Sequence, residues 1–350
     1  MADKDKDGDG VDSISSLPDE ILQHILSSLK TATAIKTSTL SKRWRHVWFG
    51  TPSLYLVWMG HDMNFDSINK TLARYTARKM TSFQLYSGKN IGAPEIDRSI
   101  ELAMSRNVET ILDFCIDLKV IDLSKSLYLR TLEATIRDTG TQIIAPHIRC
   151  LRLTDYVVND ILTDGFPRVI IQKIIEELQN VEKLTFGPNL LKILSVAELH
   201  HLRFPSFKIK DLKLETTISQ NAIPGLVRVL QNSTQLKKLT VQPKLVIGTL
   251  LGKSLDDLLG VHGLINSDGR WSSEARVFPN IFTLDVEPKH VVSFIQLMLK
   301  TTKTLDKMVL RLGYYLQGKQ VEELLVMVPM LRQDNNASIV VISNELNQRG

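Results

Sequence analysis

The segment GTLLGKS, residues 248–254, comes close to a loop that binds nucleotide phosphates. In that loop, successive backbone N–H groups wrap a phosphate and the lysine of a Gly-Lys pair neutralises its charge. Four residues must separate the first glycine from the Gly-Lys pair, whereas three separate Gly248 from Gly252. The spacing argues against nucleotide binding, and the leucines that follow favour a loop leading into a core-facing helix.

The first residues, MADKDKDGDGVD, resemble the start of a calcium-binding loop. Their acidic residues fall at the early positions of an EF-hand loop that would begin at Asp3. The twelfth position of such a loop requires a glutamate that binds the ion through both oxygens, and here it is Ile14. With five aspartates and a single valine, residues 1–12 are instead predicted to form a disordered acidic tail.

Other residues that could act as nucleophiles or metal ligands are scattered. The eight histidines show no H-E-x-x-H spacing, and the pair His200-His201 fits the solvated end of a helix. Cys115 and Cys150 lie 35 residues apart and fit small core residues better than nucleophiles. No G-x-S-x-G elbow or kinase signature occurs. We therefore expect no catalytic residues, no cofactor and no metal.

The segment SKRWRHVWFG, residues 41–50, combines three cationic side chains with two tryptophans. Such a segment can bind nucleic acid, with arginine on phosphate and aromatic rings on bases, or it can form a helix face that binds another protein. The net charge of +5 is small for 350 residues, and the basic residues are spread along the chain. Because a lone basic turn offers few phosphate contacts, the second interpretation is favoured.

Three short helices are predicted around this segment. Pro18 fits the first turn of a helix whose apolar residues, among them Ile21 and Ile25, recur every three or four positions. A second helix is predicted over Thr33–Leu40, and Ser41 is a natural cap for a third that carries Trp44, Val47 and Trp48 on one face. A core of this size supplies only a few kcal/mol, so part of the apolar surface should be covered by a partner.

The same residues resemble the F-box, in the form typical of plant F-box proteins. The resemblance runs from about Ser13 to Leu56 and includes the Leu-Pro start, the LSKRWR core and the P-x-L close. It implies docking on the Skp-type adaptor of a cullin-RING ubiquitin ligase, although some of these side chains must also form the internal core. Carried over by position, the adaptor-binding residues would be Leu17, Pro18, Ile21, Ile25, Leu26, Ser38, Leu40, Ser41 and Trp44.

Beyond residue 75, apolar residues recur at positions i, i+3 and i+5, which is the L-x-x-L-x-L pattern of a leucine-rich repeat. The triplets are Met80/Phe83/Leu85, Leu129/Leu132/Ala134, Ile148/Leu151/Leu153, Val181/Leu184/Phe186, Ile209/Leu212/Leu214, Leu236/Leu239/Val241, Ile281/Leu284/Val286 and Leu305/Met308/Leu310. In the copy over residues 181–191, Asn189 is placed to bond the turning backbone. The alternative is a generic α/β domain with leucines in its core.

Helical patterns fill the gaps between these triplets. They are Ile171/Ile174/Ile175/Leu178, Val291/Phe294/Ile295/Met298 and Val321/Leu324/Leu325/Val328. Strands and helices therefore alternate, which predicts an α/β fold: a short three-helix F-box followed by an irregular leucine-rich-repeat solenoid with strands on its concave side. Residues 277–343 also resemble an FBD-type region, whose last strand would be Ala337–Ser343. The predicted divisions are a tail over 1–12, an F-box over 13–60, repeats over 75–276 and FBD-like repeats over 277–350.

The combined resemblance implies the substrate-recognition subunit of an SCF-type ubiquitin ligase, which is not itself an enzyme. The F-box would bind the adaptor and through it a cullin, and the concave face would bind an unidentified protein target. Candidate lining residues are Lys183, Thr185, Lys213, Lys238 and Thr240. The alternative is a non-degradative scaffold that binds the adaptor alone. The lack of a long apolar segment and the low cysteine content predict a cytoplasmic or nuclear protein that binds neither membrane nor nucleic acid.

Overall fold

A computed structural model describes the chain at residues 14, 16–58, 70, 72–87, 93–116, 120–136, 142–154, 168–215, 222–243, 287–312, 316, 318–334 and 337–342. The chain divides into two compact units, Met1–Ile111 and Leu112–Gly350. Each unit is described separately below. The P-loop-like segment 248–254 and the triplet Ile281/Leu284/Val286 lie outside the described residues.

Three short helices begin the first unit. They are α1 (Asp19–Ser27), α2 (Thr31–Lys36) and α3 (Trp44–Val47), and 3₁₀ turns follow α2 over Thr37–Thr39 and α3 over Trp48–Gly50. The predicted start of α1 is confirmed, since the Pro18 carbonyl accepts the first backbone hydrogen bonds, from the N–H groups of Ile21 and Leu22. The second helix begins two residues before its predicted start at Thr33 and tightens into the 3₁₀ turn before its predicted end at Leu40.

Strands follow directly after the helices in this unit. Strand β1 (Ser53–Trp58) pairs in parallel with β2 (Ser82–Ser87), which places Leu54 opposite Phe83 and Leu56 opposite Leu85. All four side chains are buried. Helix α4 (Ala93–Ser105) comes next, and strand β3 (Thr110–Ile116) begins at the end of the unit. The strand β1 was not predicted.

The second unit alternates parallel strands with helices. Its main strands, in the order in which they neighbour each other, are β5 (Thr131–Ile136), β7 (Cys150–Thr154), β8 (Lys183–Phe186), β9 (Asp211–Leu214), β10 (Lys238–Val241), β11 (Lys307–Arg311) and β12 (Ser338–Ile342). Strands β4 (Val120–Asp122) and β6 (Gln142–Ile144) form a separate parallel pair. The helices are α5 (Arg168–Glu177), α6 (Pro188–Leu199), α7 (Ile223–Asn232), α8 (Pro288–Thr301) and α9 (Lys319–Met327).

The strand register confirms the predicted repeat. The middle residues of the six triplets described in this unit lie opposite one another, and Ile339 of β12, which belongs to no predicted triplet, extends them into an apolar row across seven strands. That row consists of Leu132, Leu151, Leu184, Leu212, Leu239, Met308 and Ile339. Every residue of the seven triplets in the described part of the chain is buried. The fold is therefore mixed α/β, with a parallel-strand region consistent with a leucine-rich-repeat solenoid.

The predicted helix faces are largely confirmed. Val291, Phe294, Ile295 and Met298 of α8 are fully buried. In α9, Val321 and Leu324 are buried, but Leu325 is half exposed, because the helix buries a narrower face than the apolar pattern predicts. The predicted terminal strand is also present, at Ser338–Ile342. The FBD-type resemblance of this region stays a prediction.

Two smaller predictions do not hold. Asn189 belongs to the first turn of α6, which starts at Pro188, so its backbone is helical rather than part of a turn after the strand. Cys150 is only partly buried, because it stands at the first position of β7 on the side opposite to Leu151. Cys115 lies in β3, and its side chain is outside the described part of the structure.

Candidate functional site

The three N-terminal helices enclose a small apolar core. Its buried members are Leu22, Leu26, Ala34, Trp44, Val47 and Trp48, with Leu17, Ile35 and Phe49 packed at the margin. The Trp48 and Phe49 rings meet edge to face at 4.7 Å between centroids. A hydrogen bond connects helix α2 to strand β1, since the backbone N–H of Tyr55 donates to the Thr31 hydroxyl at 2.9 Å.

Several large apolar side chains remain outside this core. Ile21 and Ile25 are each 47% exposed, and Leu40 is 68% exposed. The two isoleucines are four residues apart on α1 and therefore lie on one face of the helix, away from Leu22 and Leu26. We call Pro18, Ile21, Ile25, Leu40 and Ser41, which are all exposed, the helical docking surface.

The predicted adaptor-binding residues divide by burial into two groups. The helical docking surface contains five of them. Leu26 and Trp44 are buried, at 2% and 8% exposure, so in the free chain they support that surface from beneath. Leu17 and Ser38 are partly buried, and the Ser38 hydroxyl donates to the Arg45 carbonyl at 3.5 Å. Their predicted contacts with an adaptor stay predictions.

Arg43 connects the segment before α3 to the start of α1. Its Nη2 and Nε donate to Asp19 Oδ1 at 3.0 and 3.3 Å, and Nη2 also donates to the carbonyl of Leu17. This connection brings the chain just after Leu40 and Ser41 close to Pro18, which lies between the two acceptor residues. Nothing in the sequence spacing identifies this pair, because its members are 24 residues apart.

The role of Arg43 also bears on the two interpretations of the basic and aromatic segment. Trp44 and Trp48 are buried in the core, so neither ring is available to stack on a base. Arg43 is bonded to Asp19, which leaves Lys42 and Arg45 as the exposed cations of the segment. Two cations offer few phosphate contacts, so the geometry favours a protein-binding surface.

Comparisons with known proteins agree with this assignment. A family model of the F-box domain matches residues 14–53, which include the whole helical docking surface. Two F-box/LRR-repeat proteins of Arabidopsis thaliana are 39% identical to this chain, over 95% of it and over 92% and 91% of their own lengths. A third is 32% identical over 97% of this chain and 98% of its own. This chain belongs to the plant F-box/LRR-repeat family.

Members of the F-box/LRR-repeat family are generally non-catalytic adaptors, and F-box domains generally bind Skp-type adaptors. Within the described ranges of this F-box/LRR-repeat protein, no group of three or more His, Cys, Asp or Glu residues could hold a metal ion. Among the helices of those ranges, none is both long and apolar enough to cross a membrane.

A second candidate surface lies on the strands of the repeat unit, on the side opposite to the apolar row. The residues between the second and third apolar positions form a central row there. That row consists of Glu133, Arg152, Thr185, Lys213, Thr240, Val309 and Val340. Each of these residues directly follows the apolar-row residue of its strand, and this constant spacing could have predicted the row from the sequence.

An ionic network occupies one end of the central row. Arg152 donates to Glu133 and to Glu215, both at 2.6 Å, and Lys213 pairs with the other oxygen of Glu215 at 2.6 Å. Burial disfavours the charged guanidinium, but its bonds to Glu215 and Glu133 outweigh that effect and raise the pKa of Arg152. The network is electrically balanced and holds these side chains in place.

The predicted target-binding residues are not equally accessible. Lys183 is exposed, Thr185 is partly buried, and Lys213 and Lys238 are paired with Glu215 and Asp211. Thr240, predicted to be exposed, is buried, as is its neighbour Val309 in the central row. The accessible part of this face therefore lies towards Lys183 and Lys213 rather than around Thr240.

Proposed function

We propose that this F-box/LRR-repeat protein is the substrate-recognition subunit of an SCF-type cullin-RING ubiquitin ligase. The helical docking surface binds a Skp-type adaptor, which in turn binds a cullin. The strand-lined face of the repeats binds a protein target. The boundaries proposed for these parts are residues 13–60 for the F-box, 75–276 for the repeats and 277–350 for an FBD-like end.

The observation that carries this proposal is the exposed apolar surface within the F-box match. Ile21, Ile25 and Leu40 project from a core that is already filled by other side chains, so folding of the chain alone leaves them in water. Fully burying an Ile or Leu side chain stabilises a complex by roughly 1.5–3 kcal/mol. A partner that covers all three gains affinity without rearranging the helices.

The proposed role requires no bond-making residue in this chain. When the F-box is bound to the ligase and the repeats hold a target, the target lysines experience a high effective concentration of the ubiquitin-charged enzyme. The chain contributes proximity and orientation. This agrees with the generally non-catalytic character of the family.

Copurification tests the proposal. The tagged full-length chain is mixed with a purified Skp-type adaptor and cullin, and compared with the double variant Ile21→Asp/Ile25→Asp. The matched control is Leu325→Asp/Val326→Asp, which places the same charges on residues that are 50% and 66% exposed in α9. We expect the adaptor and the cullin to copurify with the wild type and the control, and neither with the double variant.

The cullin readout separates the receptor from the scaffold. Capture of both adaptor and cullin supports a ligase receptor, whereas capture of the adaptor without the cullin supports a non-degradative scaffold. If the wild-type chain captures neither protein, the proposal is wrong. If the double variant captures the adaptor as well as the control does, the helical docking surface is wrongly placed.

A further inference from the structure

The N-terminal ends of the repeat strands are tied together by backbone hydrogen bonds. The backbone N–H of Arg149 donates to the carbonyl of Arg130, the residue before β5, at 2.9 Å, and the backbone N–H of Glu182 donates to the carbonyl of Arg149, the residue before β7, at 2.8 Å. The same backbone hydrogen bond is repeated from Lys210 to Glu182, from Lys237 to Lys210 and from Asp306 to Lys237, at 2.8 to 2.9 Å. These bonded residues, together with the residue that follows each of them in the chain, therefore form one continuous band.

This band is predominantly basic. We call it the basic rim, and its basic residues are Arg130, Arg149, Lys183, Lys210, Lys237, Lys238 and Lys307. Its acidic residues are Glu182, Asp211 and Asp306. Seven basic and three acidic side chains leave a net charge of four positive, against +5 for the whole chain. One edge of the repeat strands thus carries a charge close to that of the entire chain.

Two lysines of the basic rim, Lys183 and Lys307, are available to an incoming partner. By contrast, Lys238 is paired with Asp211 at 3.0 Å and Lys210 with Glu182 at 3.2 Å. Lys183 and Lys307 are exposed, and neither forms an ion pair with another residue of the described ranges. Both are first residues of their strands and project to the side opposite to the apolar row.

One end of the basic rim carries apolar residues. In the turn before β5, Leu127 and Tyr128 are more than half exposed. Arg130 Nη1 donates to the Leu127 carbonyl at 2.7 Å, so its charge lies beside these side chains. A partner that follows the rim would meet apolar groups at this end and ammonium groups along the rest.

The dimensions of the rim fit a short extended peptide. Neighbouring strands are about 4.8 Å apart, so the five steps from β5 to β11 span about 24 Å. An extended chain advances about 3.3 Å per residue, and seven residues therefore cover the rim. From this charge, accessibility and length we infer that the basic rim binds an extended acidic segment of the target protein. This inference rests on the proposed function for the existence of a target and adds its chemistry.

The rim favours an acidic protein segment over a nucleic acid. Glu182, Asp211 and Asp306 are interspersed among the lysines and would repel a uniformly charged phosphate backbone. Tyr128 is the one exposed aromatic ring among the described residues of the rim and its adjoining turn, whereas single-stranded nucleic acids require several rings for stacking. A protein segment can alternate carboxylates with neutral residues and so avoid the acidic positions.

The test uses the full-length chain and a fluorescein-labelled heptapeptide of alternating glutamate and serine. Lys183→Glu/Lys307→Glu is compared with Lys300→Glu/Lys319→Glu, which makes the same charge change at exposed lysines of α8 and α9. Fluorescence anisotropy gives the Kd at two salt concentrations. We expect the rim variant to bind about tenfold more weakly than the wild type, and the control to bind like the wild type. We also expect binding of the wild type to weaken with salt.

Four outcomes would overturn the inference. They are no binding of the acidic peptide by the wild-type chain, equal binding by the rim variant and the control, equal binding of a peptide with glutamine for glutamate, and tighter binding of a seven-nucleotide oligothymidylate than of the acidic peptide. Adaptor capture is measured with the same preparations. Peptide binding without adaptor capture would disprove the proposed function but not peptide binding by the basic rim. Adaptor capture without peptide binding would disprove the role of the basic rim but not the proposed function.

Discussion

Truncation of the helical docking surface should weaken adaptor binding without unfolding the chain. In Ile21→Ala/Ile25→Ala, each removed side chain is 47% exposed in the free protein, so about half of its burial energy remains to be gained in a complex. Complete burial is worth roughly 1.5–3 kcal/mol per side chain. The double variant should therefore lose about 1.5–3 kcal/mol of binding free energy, which corresponds to a Kd higher by about one to two orders of magnitude.

The same variant should lose some folding stability, but less than a core variant does. About half of each isoleucine side chain is buried in the free protein, and the better helix propensity of alanine offsets part of that loss, so we expect the free energy of unfolding to fall by about 1–2 kcal/mol. Trp44→Ala provides the contrast. This ring is 8% exposed within the core, and its removal should cost about 3–5 kcal/mol of folding stability.

Calorimetric titration with a purified Skp-type adaptor measures the affinity, and urea unfolding measures the stability. Leu325→Ala/Val326→Ala, which truncates apolar residues of α9 that are at least as exposed as the two isoleucines, is the control for loss of apolar surface in general. A Kd for Ile21→Ala/Ile25→Ala within twofold of the control would refute the docking surface. A large loss of stability in this variant would show instead that the isoleucines belong to the core.

Four further predictions concern folding stability, three in the repeat unit and one, at Gly50, in the first unit. Gly225→Ala should destabilise it by about 1–2 kcal/mol in urea unfolding, because the new Cβ would lie 2.5 Å from the Ser195 backbone nitrogen, and this clash outweighs the gain of about 1 kcal/mol in helix propensity. Gly50→Ala should change stability little, since its Cβ would meet only a flexible glutamine side chain. Arg152→Ala should cost about 2 kcal/mol in urea unfolding, because Glu215 is 4% exposed and loses a charged partner. Burial raises the pKa of Glu177, so the folded state binds this proton more tightly and stability falls as the pH rises through the raised pKa. Glu177→Gln should therefore be more stable than wild type at pH 7, and thermal unfolding should show the gain vanishing below the usual pKa of 4.5.

The repeat architecture could be predicted because its signal is periodic and local. The i, i+3, i+5 spacing identified seven triplets whose residues are all buried in the described part of the chain. Strand β1 was not predicted because the first position of its i, i+3, i+5 triplet, before Leu54 and Leu56, is Thr51 rather than an apolar residue. Thr51 is nevertheless buried, and its hydroxyl donates to the Trp48 carbonyl at 3.0 Å, so a satisfied polar group takes the place of a leucine.

The helical docking surface could be predicted only in part. A resemblance of sequence marks which residues belong to the F-box, but burial decides which of them are accessible. Ile21 and Leu22 are adjacent and similar in character, yet one is 47% exposed and the other is fully buried. Their difference depends on how α1 packs on α3. The pairing of Arg43 with Asp19, which no local pattern encodes, is part of that packing.

Inward and outward side chains alternate along each repeat strand, so the residues that stabilise the fold are distinct from those that are available for recognition. Leu184 and Leu212 face the helices and carry the packing, whereas Lys183 and Lys213 on the same strands face the other way. A change at an outward position alters a charge without opening a cavity, so the outward-facing surface can change while the apolar row is kept. The helical docking surface belongs to separate elements at the other end of the sequence. Under the proposed function, adaptor binding and target choice would therefore vary independently, as a receptor that delivers different targets to one ligase requires.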